Sequence, residues 1–535
     1  MYNQKFIITA LIFILTISVC GLSENINIEN NETTIENGLN EIIEERGIPG
    51  ITLSITVSGK TTTYSSGFAD IETQTPMNKT HRMLLGSTGK SIFAALALKL
   101  ESEGVINLND KAENYLGHET WFTKIANHEN ITIRSLLNHT SGVPEYVYTR
   151  ELWQTIKDQP NKKWTAKDRM SLISDMPSRF NVGEGWSYAD ANYIILGALI
   201  EQVTKKDIYI LAKEELLQPH HMVSTDPSTQ QRLENLSSGY SGNFFGTLFG
   251  EKIATLGLYN LNPQFEWTGG GFITTSEDLS KWIYQLYNNK ILTKSNTKAM
   301  FHSAINRVTA KEDRFGYSLG TEVFETRYGT AYGHTGFMPG YSTFMAHFPD
   351  YDTSIAFQIN IDPYSKQLKK SASVFELIDE ILPLILKTNK VHKKTTTLYF
   401  VRHAEKANDG TRNPGLTNEG KSRSELISKI MGSKNINAVY STAYKRTTET
   451  AQPLAKLIGK NVNFYDPTNT TSILDIIAKN EGQNIVIVGH SNTIPAMLNF
   501  LEKSSNYQVI PEAEYDNLFK VMYSSNKTIV SENKY

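Results

Sequence analysis

The stretch GSTGKS, residues 86–91, admits two incompatible readings. Gly89-Lys90-Ser91 matches the end of a phosphate-binding loop, G-x-x-x-x-G-K-[ST]. Ser87-Thr88-Gly89-Lys90 matches S-x-x-K, the opening motif of acyl-transferring serine enzymes. A phosphate loop needs a glycine five positions before Gly89, so that its amides can wrap the phosphates. That position is Leu84, inside the apolar run Met83-Leu84-Leu85, and the cradle cannot form. The residues that follow, SIFAALALKLESEG (91–104), are rich in Ala and Leu and close on Gly104, which predicts a helix. On it Ser87 and Lys90 stand at i and i+3 and share a face, whereas Ser91 does not. A partly desolvated lysine can give up its proton and activate a neighbouring serine. Taken alone, Ser87 would serve equally well as a helix cap and Lys90 as a solvated charge. Other motifs have to decide.

A chain of 535 residues exceeds one ordinary core, so two or more domains are expected. Hydrophobic content of 39%, charged content of 20% and a net charge of -2 offer no basic surface for nucleic acid or for an anionic membrane. Lys5 precedes FIITALIFILTISV (6–19), too short to span a bilayer comfortably and suited to a secretory signal over residues 1–20. Export to the periplasm or outer surface follows as an expectation. Cys20, the only cysteine, ends Ile17-Ser18-Val19-Cys20, which resembles a lipoprotein box with Val19 where a small residue is usual. Plain cleavage and a lipid anchor at Cys20 both stay open, and that anchor is the one membrane contact expected. The mature body has no disulfides, so packing must stabilise it. Residues 21–38 are polar and acidic and read as a tether.

From 39 to 386 strand-like segments such as ITLSITV (51–57) mix with helices. A basic, threonine-rich linker (387–396) leads to a second body (397–535). There LYFVRHAEK, a helix from Glu419, INAVYST, a helix from Thr447 and QNIVIVGHSNT alternate. That rhythm implies a parallel sheet with covering helices, its functional residues at the strand C-terminal ends.

A nucleophilic Ser87 needs a base and an oxyanion hole. WSYADANYIILG (186–197) puts Tyr188 just before a helical run, with Asp190 two residues on. YGHTGFMPGYST (332–343) puts His334, Thr335 and Gly336 on a strand lining a cleft, with TSIAFQIN (353–360) as a neighbouring strand. A buried Tyr188 near Lys90 could shuttle the serine proton as a phenolate. His334 could set a donor beside a substrate carboxylate or tune Tyr188. The amides of Ser87 and Phe337 could face the developing oxyanion.

Ser87-x-x-Lys90, Tyr188-x-Asp190 and His334-Thr335-Gly336, in that order, resemble the class C β-lactamase family with its D,D-peptidase and esterase relatives, over roughly residues 39–385. ITIRSLLNHTSGVPEY (131–146) and TGGGFITTSEDLSKW (268–282) are similar to stretches between that family's motifs. The resemblance implies an α/β fold with an antiparallel sheet and a helical subdomain. It also implies an acyl-enzyme mechanism with Ser87 as nucleophile and Lys90 with Tyr188 as base system. Two departures bear on substrate. Asp190 stands where dedicated lactamases usually carry Asn, and it accepts where Asn donates. His334 stands where they carry Lys, and it is cationic only when protonated. Both changes are similar to peptidase- and esterase-like members. The expected acyl substrate is a small molecule or a peptidoglycan-like peptide, and loops such as SSGYSGNFFGTLFGEK (237–252) are candidates for shaping the cleft. A true β-lactamase and a non-catalytic cell-envelope binding protein remain the alternatives.

In the second body Arg402-His403 and His490 end strands, and Arg446 lies in STAYKRTTETAQPLA (441–455). Two cations and two histidines converging at strand ends suit a phosphorylated substrate, with a neutral His403 attacking phosphorus. Arg402-His403, GLTNEG (415–420), Arg446 and His490 are similar to the histidine phosphatase superfamily, with its phosphoglycerate mutase-like three-layer α/β fold, although Ala404 replaces the usual Gly. The resemblance implies His403 as nucleophile and Arg402, Arg446 and His490 as phosphate clamps. Glu405, Asp409 and Asp466 are the candidate proton donors. No cofactor is implied in either body, and no Cys/His/Asp cluster has metal-ligand spacing.

Overall fold

A computed structural model of the chain describes residues 34–306, 315–326, 328–388, 395–524 and 528–535. The signal segment, Cys20, most of the tether and most of the linker lie outside these residues. The chain divides near residue 392 into two compact units.

The first unit opens with a helix, α1, over residues 34–46. It takes in five residues assigned above to the tether. Ile35, Leu39, Ile42 and Ile43 recur at helical spacing and are all buried, so this acidic segment carries the apolar stripe that a tether lacks. The main sheet comprises β1 (Gly50–Val57), β2 (Lys60–Asp70), β3 (Thr75–Pro76), β4 (Ile305–Asn306), β5 (Phe315–Tyr317), β6 (Glu322–Thr326), β7 (Gly329–Met338), β8 (Tyr341–Phe348) and β9 (Thr353–Ile359). Their order is β4-β5-β6-β7-β8-β9-β1-β2-β3. TSIAFQIN, which forms β9, is therefore not the neighbour of the His334 strand. A two-residue turn, Pro339-Gly340, pairs β7 directly with β8, and β9 pairs with β1.

Period-two alternation divides β1 between two helical layers. Ser54 and Thr56 hydrogen-bond Ser276 and Ser280 of α5 (Ser276–Tyr287) at 2.9 and 2.8 Å. Ile51, Leu53 and Ile55 are buried on the other face, where Ser66, opposite Ile51, donates to Asn40 of α1. Arg46 of α1 pairs with Glu376 and Glu380 of α6 (Val374–Thr388) at 2.9 and 2.6 Å. Two further helices carry the site. In α2 (Lys90–Ser102) every residue from Lys90 to Leu98 is buried, as a central helix requires. α3 (Asp190–Thr204) is buried almost as completely. By contrast α4 (Asn243–Phe249) has no buried residue.

In the second unit β10 (Thr396–Arg402), β11 (Ile436–Ser441), β12 (Val462–Phe464), β13 (Asn484–Gly489), β14 (Asn517–Tyr523) and β15 (Thr528–Lys534) are ordered β12-β11-β13-β10-β14-β15. The first four run parallel, but β14 and β15 are antiparallel, so the sheet is mixed rather than parallel. The reading of alternating segments stopped at β13 and missed this edge pair, which needs no crossover helix. Alternate residues of β10 feed two cores. Tyr399 and Val401 pack with α7 (Asn418–Gly432) and α8 (Lys445–Leu457), and Leu398 and Phe400 with α9 (Ser472–Lys479) and α10 (Thr493–Glu502). Three layers result, with Arg402-His403 and His490 at the C-terminal ends of β10 and β13.

Candidate active sites

Gly86–Gly89 form a single 3₁₀ turn that runs into α2. Such a turn eclipses residues three apart, and Ser87 meets Lys90 across it. The fully buried Lys90 Nζ donates to Ser87 Oγ at 3.0 Å, to Asp190 Oδ1 at 2.5 Å and to the Gly269 carbonyl at 2.5 Å. Three donors thus meet three acceptors, the coordination of an ammonium group. Nζ also lies 5.0 Å from the centre of the Tyr188 ring. Main-chain contact fixes this turn against β7. A Cβ on Gly336 would lie 1.9 Å from the Leu85 carbonyl, and one on Gly86 (φ +54°) 2.6 Å from the Phe337 nitrogen. The amides of Ser87 and Phe337 therefore belong to adjoining stretches of backbone, and both residues line the same cavity.

Two expected roles change. Tyr188 is not poised as a phenolate: burial, then the negative charges of Asp190, Glu322 and Glu145, hold its pKa well above the ordinary phenol value. Its hydroxyl is buried without a hydrogen bond of standard geometry, although Ser87 is near enough to lower its pKa. His334 does not offer a donor to a substrate carboxylate. Its ring is fully buried, with Nδ1 on the Thr335 carbonyl at 2.6 Å and Nε2 on the Tyr317 hydroxyl at 3.0 Å. Burial also lowers its pKa and keeps it neutral. Its ring centre is 6.3 Å from that of Tyr188, the partner left to it. Thr335 is itself engaged, since its amide and hydroxyl donate to the Glu322 carboxylate at 2.9 and 3.2 Å.

Sequence reasoning missed three carboxylates. Glu322 carried no motif. Glu145, inside the 131–146 stretch, accepts the amides of Val147 (3.0 Å) and Asp190. Glu266, two residues before the TGGG run, is buried beside Gly269 and Gly270. Burial, and next the Asp190 charge, pushes the pKa of both Glu145 and Glu266 up to about 8. Both line a cavity of about 620 Å³ that reaches Ser87 and is walled by Trp153, Phe244, Phe245, Phe265 and Tyr364. The 237–252 loop thus does contribute wall, through α4. A second hollow of about 600 Å³ adjoins Ser87 on the side of His334, Thr335, Gly336 and Glu322.

In the second unit the ring centres of His403 and His490 are 5.5 Å apart, and an Arg446 nitrogen lies 3.4 Å from His490 Nδ1. His403 Nδ1 sits 2.8 Å from the Ala404 carbonyl, so it carries the proton and leaves Nε2 bare for attack. Burial lowers the His403 pKa to about 3 and that of His490 to about 4, with Arg446 adding to both. The clamp role of Arg402 is narrower than expected. One terminal nitrogen donates to the carbonyls of Pro511, Glu512 and Glu514 and the other to the Glu512 carboxylate, while Nε is buried without a partner. Of the candidate acids, Asp409 and Asp466 are exposed and turned onto Thr411 and Thr468, and Glu405 is held by Arg423 at 2.7 Å. Glu512, which carried no motif, bridges Arg402 and Lys406 at 3.0 and 2.8 Å. A hollow of about 890 Å³ across α7, α8 and β12 is lined by none of the four phosphate-site residues.

Comparison with known proteins agrees with both halves. The histidine phosphatase superfamily (branch 1) matches residues 398–466, a span that holds Arg402, His403 and Arg446. Penicillin-binding protein 4* of Bacillus subtilis is 23% identical over 325 residues, 58% of this chain and 68% of its own length. Protein flp of Staphylococcus aureus is 24% identical over 336 residues, 62% of this chain and 64% of its own. Among solved structures, D-amino acid amidase from Ochrobactrum anthropi SV3 superposes with a TM-score of 0.57 at 21% identity, covering 67% of this chain and 99% of the amidase. A D-stereospecific amidohydrolase from Streptomyces gives 0.55 at 22%, covering 66% and 97%. At that identity the likeness speaks for the fold alone. The Beta-lactamase family model matches residues 34–376, more than half of the chain and all of the Ser87 site, and the chain belongs to that family.

Proposed function

We propose that the first unit is an exported serine hydrolase that forms an acyl-enzyme on an amide, peptide or ester. The observation that carries this reading is the contact of Ser87 Oγ with the buried Lys90 Nζ, which also touches Asp190. As Oγ bonds to the acyl carbon, its proton passes to Lys90 while Lys90 hands one to Asp190 across 2.5 Å. Lysine stays an ammonium throughout, and Asp190 becomes the store. Tyr188, kept as a neutral phenol, protonates the leaving group as the C–N or C–O bond breaks. Water then takes the acyl group off Ser87, giving a proton back to Tyr188, while Asp190 returns the stored proton through Lys90 to the departing Oγ. Anionic β-lactams suit this site poorly. Neutral His334 lends no positive charge, and the Glu322 carboxylate already occupies the Thr335 donors. Amide-cleaving fold neighbours are consistent with the preference.

For the second unit we propose phosphate-ester cleavage through a phosphohistidine on Nε2 of His403, with Arg446, His490 and the Nε of Arg402 about the phosphate. The first reading is tested by intact-protein mass after a fluorophosphonate and, separately, a fluorescent penicillin, for wild type and Ser87→Ala. An adduct on wild type alone is expected, faster with the fluorophosphonate. No adduct in folded protein would leave a binding module in its stead.

A further inference from the structure

The cavity beside Ser87 carries an electrostatic demand that the acyl-transfer chemistry does not use. Glu145, Asp190 and Glu266 all line it. The three donors of Lys90, behind the wall, are spent on Ser87, Asp190 and Gly269, and among the described residues the lining cation is the exposed Arg150. Glu145 is anchored by two backbone amides, but Oε2 of Glu266, a residue only 4% exposed, is buried with no hydrogen-bond partner. Asp190 and Glu266 flank Gly269, where a Cβ would lie 3.5 Å from the Asp190 carboxyl and 3.5 Å from the Glu266 Cγ methylene. Both side chains border the same cavity. Burial, and next the Asp190 charge, raises the pKa of Glu145 and Glu266 to about 8, a shift that the Lys90 cation offsets only in part. Much of the remaining wall is aromatic: Phe245 of the unburied helix α4 meets Trp153 edge-on at 4.8 Å and Phe337 at a tilt at 5.8 Å. Carboxyls combined with aromatic faces suit an organic cation.

Resting on the acyl-enzyme reading, we propose that this cavity selects acyl donors that carry a primary ammonium group close to the scissile carbonyl, with an apolar or aromatic side chain. Glu266 and Glu145 receive the ammonium, and the Trp153–Phe245 wall receives the side chain. Anionic and amine-blocked donors are rejected because they leave these acids buried and unpaired.

The test compares three 4-nitroanilides on the full chain: phenylalanine (both enantiomers), N-acetylphenylalanine and 3-phenylpropanoic acid. For wild type, kcat/KM for one phenylalanine enantiomer is expected to exceed that for the blocked and amine-free compounds by about 100-fold, and Glu266→Gln should shrink that ratio to about threefold. In parallel, phenethylamine should slow fluorophosphonate labelling of wild-type Ser87 while 3-phenylpropanoate does not, a readout that needs no variant. Labelling of Ser87 with equal turnover of all three anilides, or an undiminished ratio in folded Glu266→Gln, would overturn this inference and leave the acyl-enzyme reading intact. Neither labelling nor turnover would overturn both.

Discussion

Asp190→Asn separates the charge of the Lys90 partner from its shape. The wild-type pair sits at 2.5 Å with Lys90 fully buried and the Asp190 side chain 14% exposed. At an effective dielectric of about 20, the attraction is about 7 kcal/mol before desolvation is counted. Removing one member of a buried pair costs about 3–5 kcal/mol in practice. Asparagine still offers Lys90 a carbonyl oxygen, so a loss of about 3 kcal/mol is expected. A unit spanning residues 34–376 unfolds with an entropy of about 0.7 kcal/mol per kelvin, which turns that loss into a fall in Tm of about 4 °C. The effect on chemistry should be larger than the effect on folding. If the serine proton ends on Asp190, removing that acceptor forfeits a general-base contribution of about 100-fold or more. The assay pairs thermal unfolding by circular dichroism with the second-order rate of Ser87 acylation by a fluorophosphonate. A folded variant that acylates within about threefold of wild type would refute the relay, because the carboxylate would then be a structural counter-ion only.

Glu322→Gln removes the negative charge from the Thr335 donors, and acylation of Ser87 by a penicillin should accelerate about tenfold, read as the rate of fluorescent adduct formation. An unchanged rate would remove Glu322 from the account of β-lactam exclusion. In the second unit His403→Asn should abolish both the hydrolysis of 4-nitrophenyl phosphate and the acid-labile phosphoprotein trapped from it, and Arg446→Ala should lower kcat/KM by about 100-fold. His403 and His490, with pKa values lowered to about 3 and about 4, stay neutral in the folded chain at pH 5, where unfolded histidines are charged. Unfolding there takes up about two protons from these residues. Their contribution to stability is therefore complete above pH 6.5 and falls away towards pH 4, which urea titrations of the full chain at a series of pH values would register.

Residues in short, ordered motifs were legible from the sequence. Ser87 and Lys90 share one turn, Tyr188 and Asp190 lie at one helix start, and His403 and His490 end two parallel strands, so local spacing carried their geometry. The missed groups came together through the fold. Glu145, Glu266 and Glu322 lie 56 to 177 positions from one another, and a lone glutamate has no periodicity to betray it. Their importance comes from burial, which a sequence does not record residue by residue. The surroundings of Tyr188 and His334 were hidden for the same reason. Each was assigned from its motif, while those unseen carboxylates and the Tyr317 hydroxyl set its protonation. Helix α1 was misread because a high proportion of Asn and Glu masked four apolar residues at regular intervals.

The contact of Gly336 and Gly86 with the main chain of their neighbours has a consequence for how this molecule can change. Main chain meets main chain where the nucleophile's turn abuts the strand beside it, so no replacement at these glycines can move Ser87 by a mere fraction of an ångström. The reactive centre is a fixed jig, which a mutation at these glycines keeps whole or wrecks. The jaws that grip the substrate are another matter. Helix α4 buries none of its residues, so the aromatic wall it brings to the cavity can be exchanged with little disturbance to the interior. Preference among substrates can drift through residues 243–249, while the machinery that acts on them stays in register.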